Sequence, residues 1–412
     1  MRADGTLTVY ATSDLHAHVQ RPDGGIAAVA AHIRGAGSER SLWIDNGDTL
    51  SGSAVGAFLS GRAEDHPILP ALEDAGLDVG VPGNHDFDHG AAVLARRASA
   101  LRRAAYVCAN VRTAAGETLF PPSTVLDRAG LRIGIIGAVT GHLQRLTRYD
   151  AVVDVTVADP LAAVTAEAER LRGDVDVLLL SYHGGFEADP VSGRPTQYDT
   201  GEDQAARLLA SVPGLDGLIA GHQHRVAAGV APGATGPVAY VQPGYAGERI
   251  GVLRFTVSDG AVVSRSAETV VPAAPADAVA LTAEHAAARR WLDTASGLDE
   301  DAIHRIVGAR TGASVTVLQL PGGSPTWAEL SAALPPPYGV ERYRMPRAEL
   351  AAALARAPEG VSVRGLDPDP AGWPLHVDVV ASAALRGGLL PEGRVQDARP
   401  YDWLDELVTT AG

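Results

Sequence analysis

The chain has 412 residues, 46% of them hydrophobic, and a formal net charge of −15 at pH 7. This length and apolar fraction predict two domains with a sizeable core. The net negative charge argues against a surface for duplex nucleic acid, because such a surface needs clustered Lys and Arg.

The single Cys108 excludes an internal disulfide, and its apolar surroundings in "YVCANV" predict a buried core residue. The first residues run almost directly into a predicted strand, without the charged start and apolar core of a signal peptide. No stretch approaches the roughly 20 apolar residues of a membrane span. We therefore expect a cytoplasmic protein.

Short apolar runs alternate with helical patterns along the first part of the chain. The predicted strands are "LTVYATSD", "SLWIDNGD", "LDVGVPGNHD", "LRIGIIGAVT", "VDVLLLSYHGG" and "LDGLIAGHQHR". The predicted helices are "GGIAAVAAHIRGAG", "HPILPALEDAG", "AAVLARRASALRRA", 160–172 and 203–211. This alternation predicts a layered α/β domain with buried strands. After "PVAYVQPGY", the runs "RIGVLRFTV" and "GAVVSRSAETV" predict antiparallel strands that close the domain.

The composition turns to Ala and Pro near "VPAAPADAVA", as it does in a linker. A long helix is predicted over "DAVALTAEHAAARRWLDTA", and a mixed segment rich in Pro and Gly follows it. We therefore predict a catalytic domain over 1–274, a linker and helix over 275–297, and a smaller domain over 298–412.

Polar side chains follow five of the predicted strands of the first domain. The groups at these strand ends are Asp14, His16, Asp45, Asp48, Asn84, His85, Asp86, Asp88, His183, His222 and His224. Any one of these strand ends has an ordinary interpretation as a turn, because Asn, Asp and Gly favour turn geometry. Ligand sites of open α/β sheets, however, form outside the carboxyl ends of the strands. We therefore expect these side chains to converge.

The residue types favour a metal site. His222 and His224 alternate with Gln223, so both imidazoles would project to one face of an extended segment. Imidazole, carboxylate and amide ligands suit Zn²⁺, Mn²⁺ or Fe, and no Cys ligand is present to suggest a structural zinc site. The groups suffice for two metals that share one carboxylate, an arrangement that can clamp a phosphoryl group.

The ordered motifs "DLH", "NGD", "GNHD", "YHGG" and "GHQH" resemble the signature of the calcineurin-like metallophosphoesterases. Within that family, "GNHDFDHG" and "DNGDTLSGS" resemble the 5′-nucleotidase and 2′,3′-cyclic-nucleotide phosphodiesterase branch. The segment from "GFEADPVSGRPT" to "GLIAGHQHR" is most similar to the cyclic-nucleotide members. The resemblance implies a four-layer β-sandwich flanked by helices, with a second, smaller α+β domain.

The resemblance also implies roles for individual residues. The metal ligands would be Asp14, His16 and His224 for one ion, Asn84, His183 and His222 for the other, and Asp48 as the bridge between them. His85 would be the catalytic histidine, with Asp88 orienting it. A carboxylate partner favours the charged imidazolium, which can protonate a leaving alkoxide. Asp45 and Asp86 are expected to support the turns.

The segment from about Leu298 resembles a shortened version of the branch's nucleoside-binding domain. "LPPPYGVERYRMPRAEL" is similar to its Pro-aromatic turn, strand and helix. The resemblance makes Tyr338 a candidate for stacking on the base, with Arg342 and Arg344 as weaker substrate contacts. The family's early Arg has no clear counterpart here, and a domain that only packs and covers the site stays an alternative.

These features predict a metal-dependent phosphoric ester hydrolase that acts on a small nucleotide. The first expectation is dephosphorylation of a nucleoside 5′-monophosphate. The alternatives are a 2′,3′-cyclic-nucleotide phosphodiesterase or 3′-nucleotidase, and a phosphatase for a phosphorylated intermediate of specialised metabolism. A metal-binding protein without catalysis is the alternative from another class, which a missing ligand or a replaced His85 would have favoured.

Overall fold

The computed structural model describes residues 4–21, 24–61, 66–147, 149–272, 281–334, 340–391, 395–397 and 407–408. The chain folds as two compact units. The first comprises Met1–Ser51 and Glu64–Thr282, and the second comprises Gly52–Ala63 and Ala283–Gly412. The predicted boundary near residue 275 lies outside the described residues.

The first unit contains two six-stranded sheets. The strands of the first sheet are β1 (Gly5–Thr12), β2 (Ser41–Asp45), β3 (Val79–Gly80), β4 (Ala105–Tyr106), β13 (Ile250–Ser258) and β14 (Ala261–Val270). Their order is β14-β13-β1-β2-β3-β4. Strands β1 to β4 are parallel, and β13 and β14 complete the sheet as antiparallel partners, as the sequence predicted.

The second sheet of this unit is also mostly parallel. Its strands are β6 (Ser123–Arg128), β7 (Leu131–Val139), β9 (Val177–His183), β10 (Gly217–Ala220), β11 (Val226–Pro232) and β12 (Pro237–Pro243). The order is β11-β12-β10-β9-β7-β6, with antiparallel pairing only at the two edges. A separate pair joins β5 (Val111–Thr113) to β8 (Val155–Val157).

Helices connect the strands of both sheets. Those of the first unit are α1 (Ile26–Ala36), α3 (Ile68–Ala75), α4 (Ala91–Ala98), α5 (Leu143–Leu146), α6 (Tyr149–Val152), α7 (Pro160–Leu171) and α8 (Ala205–Ser211). Helix α4 ends six residues before the predicted end at Ala104. The carboxylate of Glu73 accepts the backbone N–H groups of the segment from Arg102 to Ala104, which holds that segment outside the helix and leads it into β4.

One apolar core of the first unit lies between the two sheets. Val9 and Ile44 of the first sheet pack there with Ile135 and Leu179 of the second. On the other face of the second sheet, neighbouring residues of β9 pack against α7 and α8. Strand β9 is thus buried on both faces, which explains why it is apolar without alternation. The predicted α/β sandwich flanked by helices is confirmed.

The second unit is built on a five-stranded sheet. Its strands are β15 (Thr316–Gln319), β16 (Val340–Pro346), β17 (Val361–Arg364), β18 (His376–Ser382) and β19 (Val395–Asp397), in the order β17-β15-β18-β16-β19. Its helices are α2 (Ala54–Ser60), α9 (Thr282–Leu292), α10 (Glu300–Thr311), α11 (Trp327–Ala333) and α12 (Arg347–Leu354). This confirms the predicted second α+β region.

Helix α2 belongs to the second unit, although it follows the "NGD" motif of the first. Ala57 is buried in the same apolar cluster as Leu330 and Val340, and Phe58 packs on Trp291 with ring centroids 5.2 Å apart. No pattern in the sequence indicated this grouping. Among the described residues, no helix is both long enough and apolar enough to cross a membrane.

Candidate metal centre

The backbone is strained at five of the seven predicted metal ligands. Nine non-glycine residues among those described have positive φ angles, and five of them are predicted ligands. These five are Asp14, His16, Asp48, His222 and His224. Left-handed conformations are unfavourable for such residues and cluster at functional sites. The loops at the carboxyl ends of the strands therefore hold their polar side chains at a cost to local stability.

The first ligand group consists of Asp14, His16 and His224, whose ligand atoms lie within 4.8 Å of one another. The Nδ1 atom of His16 lies 2.6 Å from the carbonyl oxygen of Ser51, so this nitrogen donates and Nε2 presents its lone pair. The Nε2 atoms of His16 and His224 are 3.1 Å apart. Burial lowers the pKa of both imidazoles, which favours the neutral form that a metal requires.

The second ligand group consists of Asp48, His183 and His222, also within 4.8 Å of one another. His183 donates from Nδ1 to the carbonyl oxygen of Asn46 at 2.7 Å, which leaves Nε2 to face Asp48. His222 and His224 adopt left-handed conformations and enter different groups. The expectation of an extended segment with both rings on one face is therefore wrong, because the turn separates the rings.

The carboxylate of Asp48, a member of the second group, also faces the first group. The Oδ2 atom of Asp48 is 3.2 Å from Nε2 of His183 and 3.8 Å from Nε2 of His16. Burial opposes the charge on Asp48, but the neighbouring imidazoles, His183 foremost, hold its pKa well below the ordinary value. Burial likewise opposes the charge on His183, but Asp48 raises the pKa of His183 to about 10. A cation bound between the Asp48 carboxylate and the His183 imidazole would replace the proton that His183 otherwise carries.

Asn84 and His85 belong to the "GNHD" turn, whose His85 N–H donates to Oδ1 of Asp48 at 2.7 Å. Both polar side-chain atoms of Asn84 are buried, and neither has a hydrogen-bond partner. A buried amide in this state requires a ligand or water, so the residue fits a metal site. The ring of His85 lies 5.5 Å from that of His16, and its Nδ1 is 2.9 Å from Oδ2 of Asp88.

Asp86 joins the two loops that carry Asp48 and Asn84. Its carboxylate accepts four backbone N–H groups, each at 2.9 Å, from Asp48, Thr49, Leu50 and Gly83. Gly83 is required at this junction, since a Cβ atom there would lie 2.2 Å from Oδ1 of Asp48. Asp86 therefore supports the turns, as the sequence suggested, by fixing one loop to the other.

Two residues near the ligands carry no motif and were missed from the sequence. Glu202 lies before α8, and its Oε1 is 2.8 Å from Nε2 of His222. The ring of Tyr245 stacks on that of His224 with centroids 4.5 Å apart, and its hydroxyl is 2.6 Å from Nε2 of His18. Neither spacing nor periodicity could identify them, because they meet their partners only through the fold.

The residues predicted to bind substrate belong to the second unit. Tyr338 lies outside the described residues. Arg342 and Arg344 alternate on β16; Arg344 is exposed, and Arg342 donates to the carbonyl of Thr311 at the end of α10. This contact satisfies a carbonyl at a helix end.

Residues 7–226, more than half of the chain, match the calcineurin-like phosphoesterase family. A 2′,3′-cyclic-nucleotide 2′-phosphodiesterase/3′-nucleotidase of Salmonella typhimurium is 27% identical over 289 residues, which cover 61% of this chain and 43% of that protein. A protein of Treponema pallidum named as a probable 5′-nucleotidase is 30% identical over 242 residues, which cover 51% of this chain and 40% of its own. The chain thus spans less than half the length of these curated relatives.

The fold has a counterpart among solved structures. The crystal structure of a 5′-nucleotidase precursor from Thermus thermophilus matches with a TM-score of 0.64 and 20% identity, over 98% of this chain and 96% of that one. At this identity the likeness concerns the fold alone. The family match, on a fold that brings the ordered motifs together, shows that this chain belongs to the calcineurin-like phosphoesterases.

Proposed function

We propose that this protein hydrolyses phosphate esters of small nucleotides with two divalent metal ions. The observation that carries the proposal is the pair of ligand groups, with Asp48 of the second group facing His16 of the first and with His85, paired to Asp88, beside His16. The proposed ligands are Asp14, His16 and His224 for one ion, Asn84, His183 and His222 for the other, and Asp48 for both. Mixed nitrogen and oxygen ligands suit Mn²⁺, Zn²⁺ or Fe.

When bound, the two ions would stabilise the charge that develops on the phosphoryl oxygens and activate water as the nucleophile. The protein's own residues supply orientation and a proton. Asp88 holds His85 through Nδ1, so that Nε2 is the ring nitrogen that gives its proton to the departing oxygen. The amide of Asn84 would bind the ion through oxygen and a phosphate oxygen through its NH₂ group.

The substrate class rests on the relatives. They are named for nucleotides in both the 5′-monoester and the 2′,3′-cyclic form. A nucleoside 5′-monophosphate is our first proposal, and opening of a 2′,3′-cyclic nucleotide with 3′-nucleotidase activity is the second, because the named relatives include both. Tyr338, Arg342 and Arg344 are our proposed substrate contacts. The cytoplasmic location stays a prediction.

The proposal is tested by phosphate release with added Mn²⁺ or Zn²⁺. The substrates are 5′-, 3′- and 2′,3′-cyclic nucleotides, sugar phosphates and bis(p-nitrophenyl) phosphate, with a coupled phosphomonoesterase to score diester opening. We expect preference for a nucleotide. His85→Ala should lower kcat by about 10²–10⁴-fold, the usual contribution of a general acid. The matched control is His376→Ala, at an exposed position of β18 in the second unit.

Activity on aryl or sugar phosphates alone would reject nucleotides as the substrate class but would leave the proposed metal site in place. It would favour a phosphorylated pathway intermediate as the substrate. Full activity in His85→Ala would reject the proposed proton donor. Metal binding without hydrolysis of any substrate would favour the binding protein over the enzyme.

A further inference from the structure

Three of the four ligand imidazoles place one ring nitrogen against an oxygen atom of the protein. His16 and His183 each place Nδ1 against a backbone carbonyl, from Ser51 and Asn46. His222 differs, because its Nε2 faces a carboxylate, that of Glu202 at 2.8 Å. Since Nε2 is engaged in this way, Nδ1 is the nitrogen that His222 has left for an ion.

Glu202 is held in place by its own backbone. Its carbonyl oxygen accepts hydrogen bonds from Thr140 Oγ1 at 2.7 Å and from the Tyr182 hydroxyl at 3.2 Å. Both donors are fully buried, and Tyr182 directly precedes the ligand His183 in β9. The glutamate therefore stands at a defined position relative to the second group, although its side chain is 30% exposed.

We propose that Glu202 is a positioning residue that sets the affinity of the second metal site, the one formed by Asp48, Asn84, His183 and His222. This inference rests on the proposed function. A carboxylate that accepts the Nε2 proton fixes the tautomer with a bare Nδ1 and makes that nitrogen a stronger donor. It also adds negative charge near the ion, which the neutral carbonyl beside His183 does not. The hydrogen bond from the Glu202 side chain goes to a ligand of the second site, so the first site should respond less than the second.

The test measures metal binding directly. Chelated, metal-free protein is titrated with Mn²⁺, and ions per chain are counted by equilibrium dialysis, while electron paramagnetic resonance separates coupled from isolated Mn²⁺. We expect two ions per chain and a coupled signal from the wild type. Glu202→Ala should weaken one site by about 10–100-fold, the usual effect of losing such a partner. At intermediate Mn²⁺ it should show one ion per chain and an isolated signal.

Glu202→Gln keeps an acceptor oxygen but not the charge, so its affinity should fall between those of the wild type and Glu202→Ala. Glu187→Gln is the control, because Glu187 belongs to the same segment and accepts the N–H groups of Ala206 and Arg207 without reaching a ligand. The retained first ion reports that each variant is folded. Two ions with wild-type affinity in Glu202→Ala, or an equal loss in Glu187→Gln, would overturn the inference.

The outcomes also separate this inference from the proposed function. A wild type that binds two ions but releases no phosphate from nucleotides would reject the substrate and leave the role of Glu202 standing. A wild type that binds fewer than two ions would reject the two-metal function and, with it, this inference.

Discussion

Both units bury histidines, but they use them differently. In the second unit, His304 places Nδ1 2.6 Å from Thr316 Oγ1 and Nε2 2.7 Å from Ser362 Oγ, so both ring nitrogens have a hydroxyl partner. In the first unit, His16 has a carbonyl at Nδ1 only, and its Nε2 faces the imidazole of His224 and the carboxylate of Asp48.

The difference lies in which hydrogen bonds are complete. A histidine whose two nitrogens are both paired with hydroxyls has no ring nitrogen left to bind an ion, and it contributes to packing. A histidine held at one nitrogen, with the other among carboxylates and imidazoles, is arranged as a metal ligand is. Burial alone therefore does not separate a structural histidine from a functional one.

Removing the charge of Asp48 should have the largest effect on metal binding and activity. If it had none, the histidines of the first unit would not differ in function from His304. Asp48→Asn keeps an acceptor for the His85 backbone N–H, which lies 2.7 Å from Oδ1, but loses the charge. We expect loss of both ions and a fall in kcat/KM of at least about 10³-fold, because metal stabilisation supplies several kcal/mol. Metal content and phosphate release measure this.

The matched control is Asp45→Asn, three residues earlier. Asp45 is hydrogen-bonded to the hydroxyls of Thr12 and Thr49, and burial raises its pKa to about 7. The neutral amide therefore resembles a form that Asp45 already adopts near neutral pH. We expect less than about a tenfold change in activity. Equal losses in the two variants would show that the effect of Asp48→Asn is structural.

Asp86→Asn sharpens the comparison, because Asp86 is a buried group of the first unit whose hydrogen bonds are complete, as those of His304 are in the second. The amide can satisfy fewer of the four N–H groups, and its own NH₂ group would face donors. We expect the free energy of unfolding to fall by about 3 kcal/mol, measured by urea denaturation. Asp127→Asn, an exposed turn residue that accepts the Gly130 N–H, should lose less than about 1 kcal/mol. If Asp86→Asn were as stable as the wild type, Asp86 would not be the residue that fixes the two loops to each other.

The smallest expected effect is a pH dependence in the second unit. Burial lowers the pKa of His304 to about 4, below the value of about 6.5 for an unfolded chain. The unfolded state then binds the proton more readily, so stability is complete above about pH 6.5 and is lost as the pH falls toward 4. We expect His304 to account for about 2 kcal/mol of this loss.

The measurement is urea denaturation at pH 7 and at pH 4. Unfolding is monitored by the near-ultraviolet circular dichroism of the stacked pair Trp291 and Trp327, whose ring centroids are 5.0 Å apart. His304→Gln retains a donor and an acceptor for the two hydroxyls but does not titrate. Its stability should change less between the two pH values than that of the wild type. The same change in both proteins would show that other groups cause the pH dependence.

Much of the first unit could be predicted, because its signals are local. Strand β9 begins with four apolar residues and ends at His183, and the "GNHD" turn begins after β3. Parallel strands bring their carboxyl ends to one edge, so a list of strand ends is already a list of neighbours. The C-terminal end of α4 and the left-handed turn at His222 were mispredicted. The end of α4 depends on the hydrogen bonds of Glu73 to the segment that follows the helix. The turn at His222 places His222 and His224 in different ligand groups.

The sequence by itself determined the family, the α/β class and the candidate ligands, because metal chemistry restricts ligand types and each motif is a few residues long. Only the tertiary structure decided which contacts orient those ligands. Glu202 meets His222 across 20 residues, and Asp86 meets Thr49 across 37. Such contacts have no period and no fixed spacing, since they depend on how separate loops pack at one edge of the sheets.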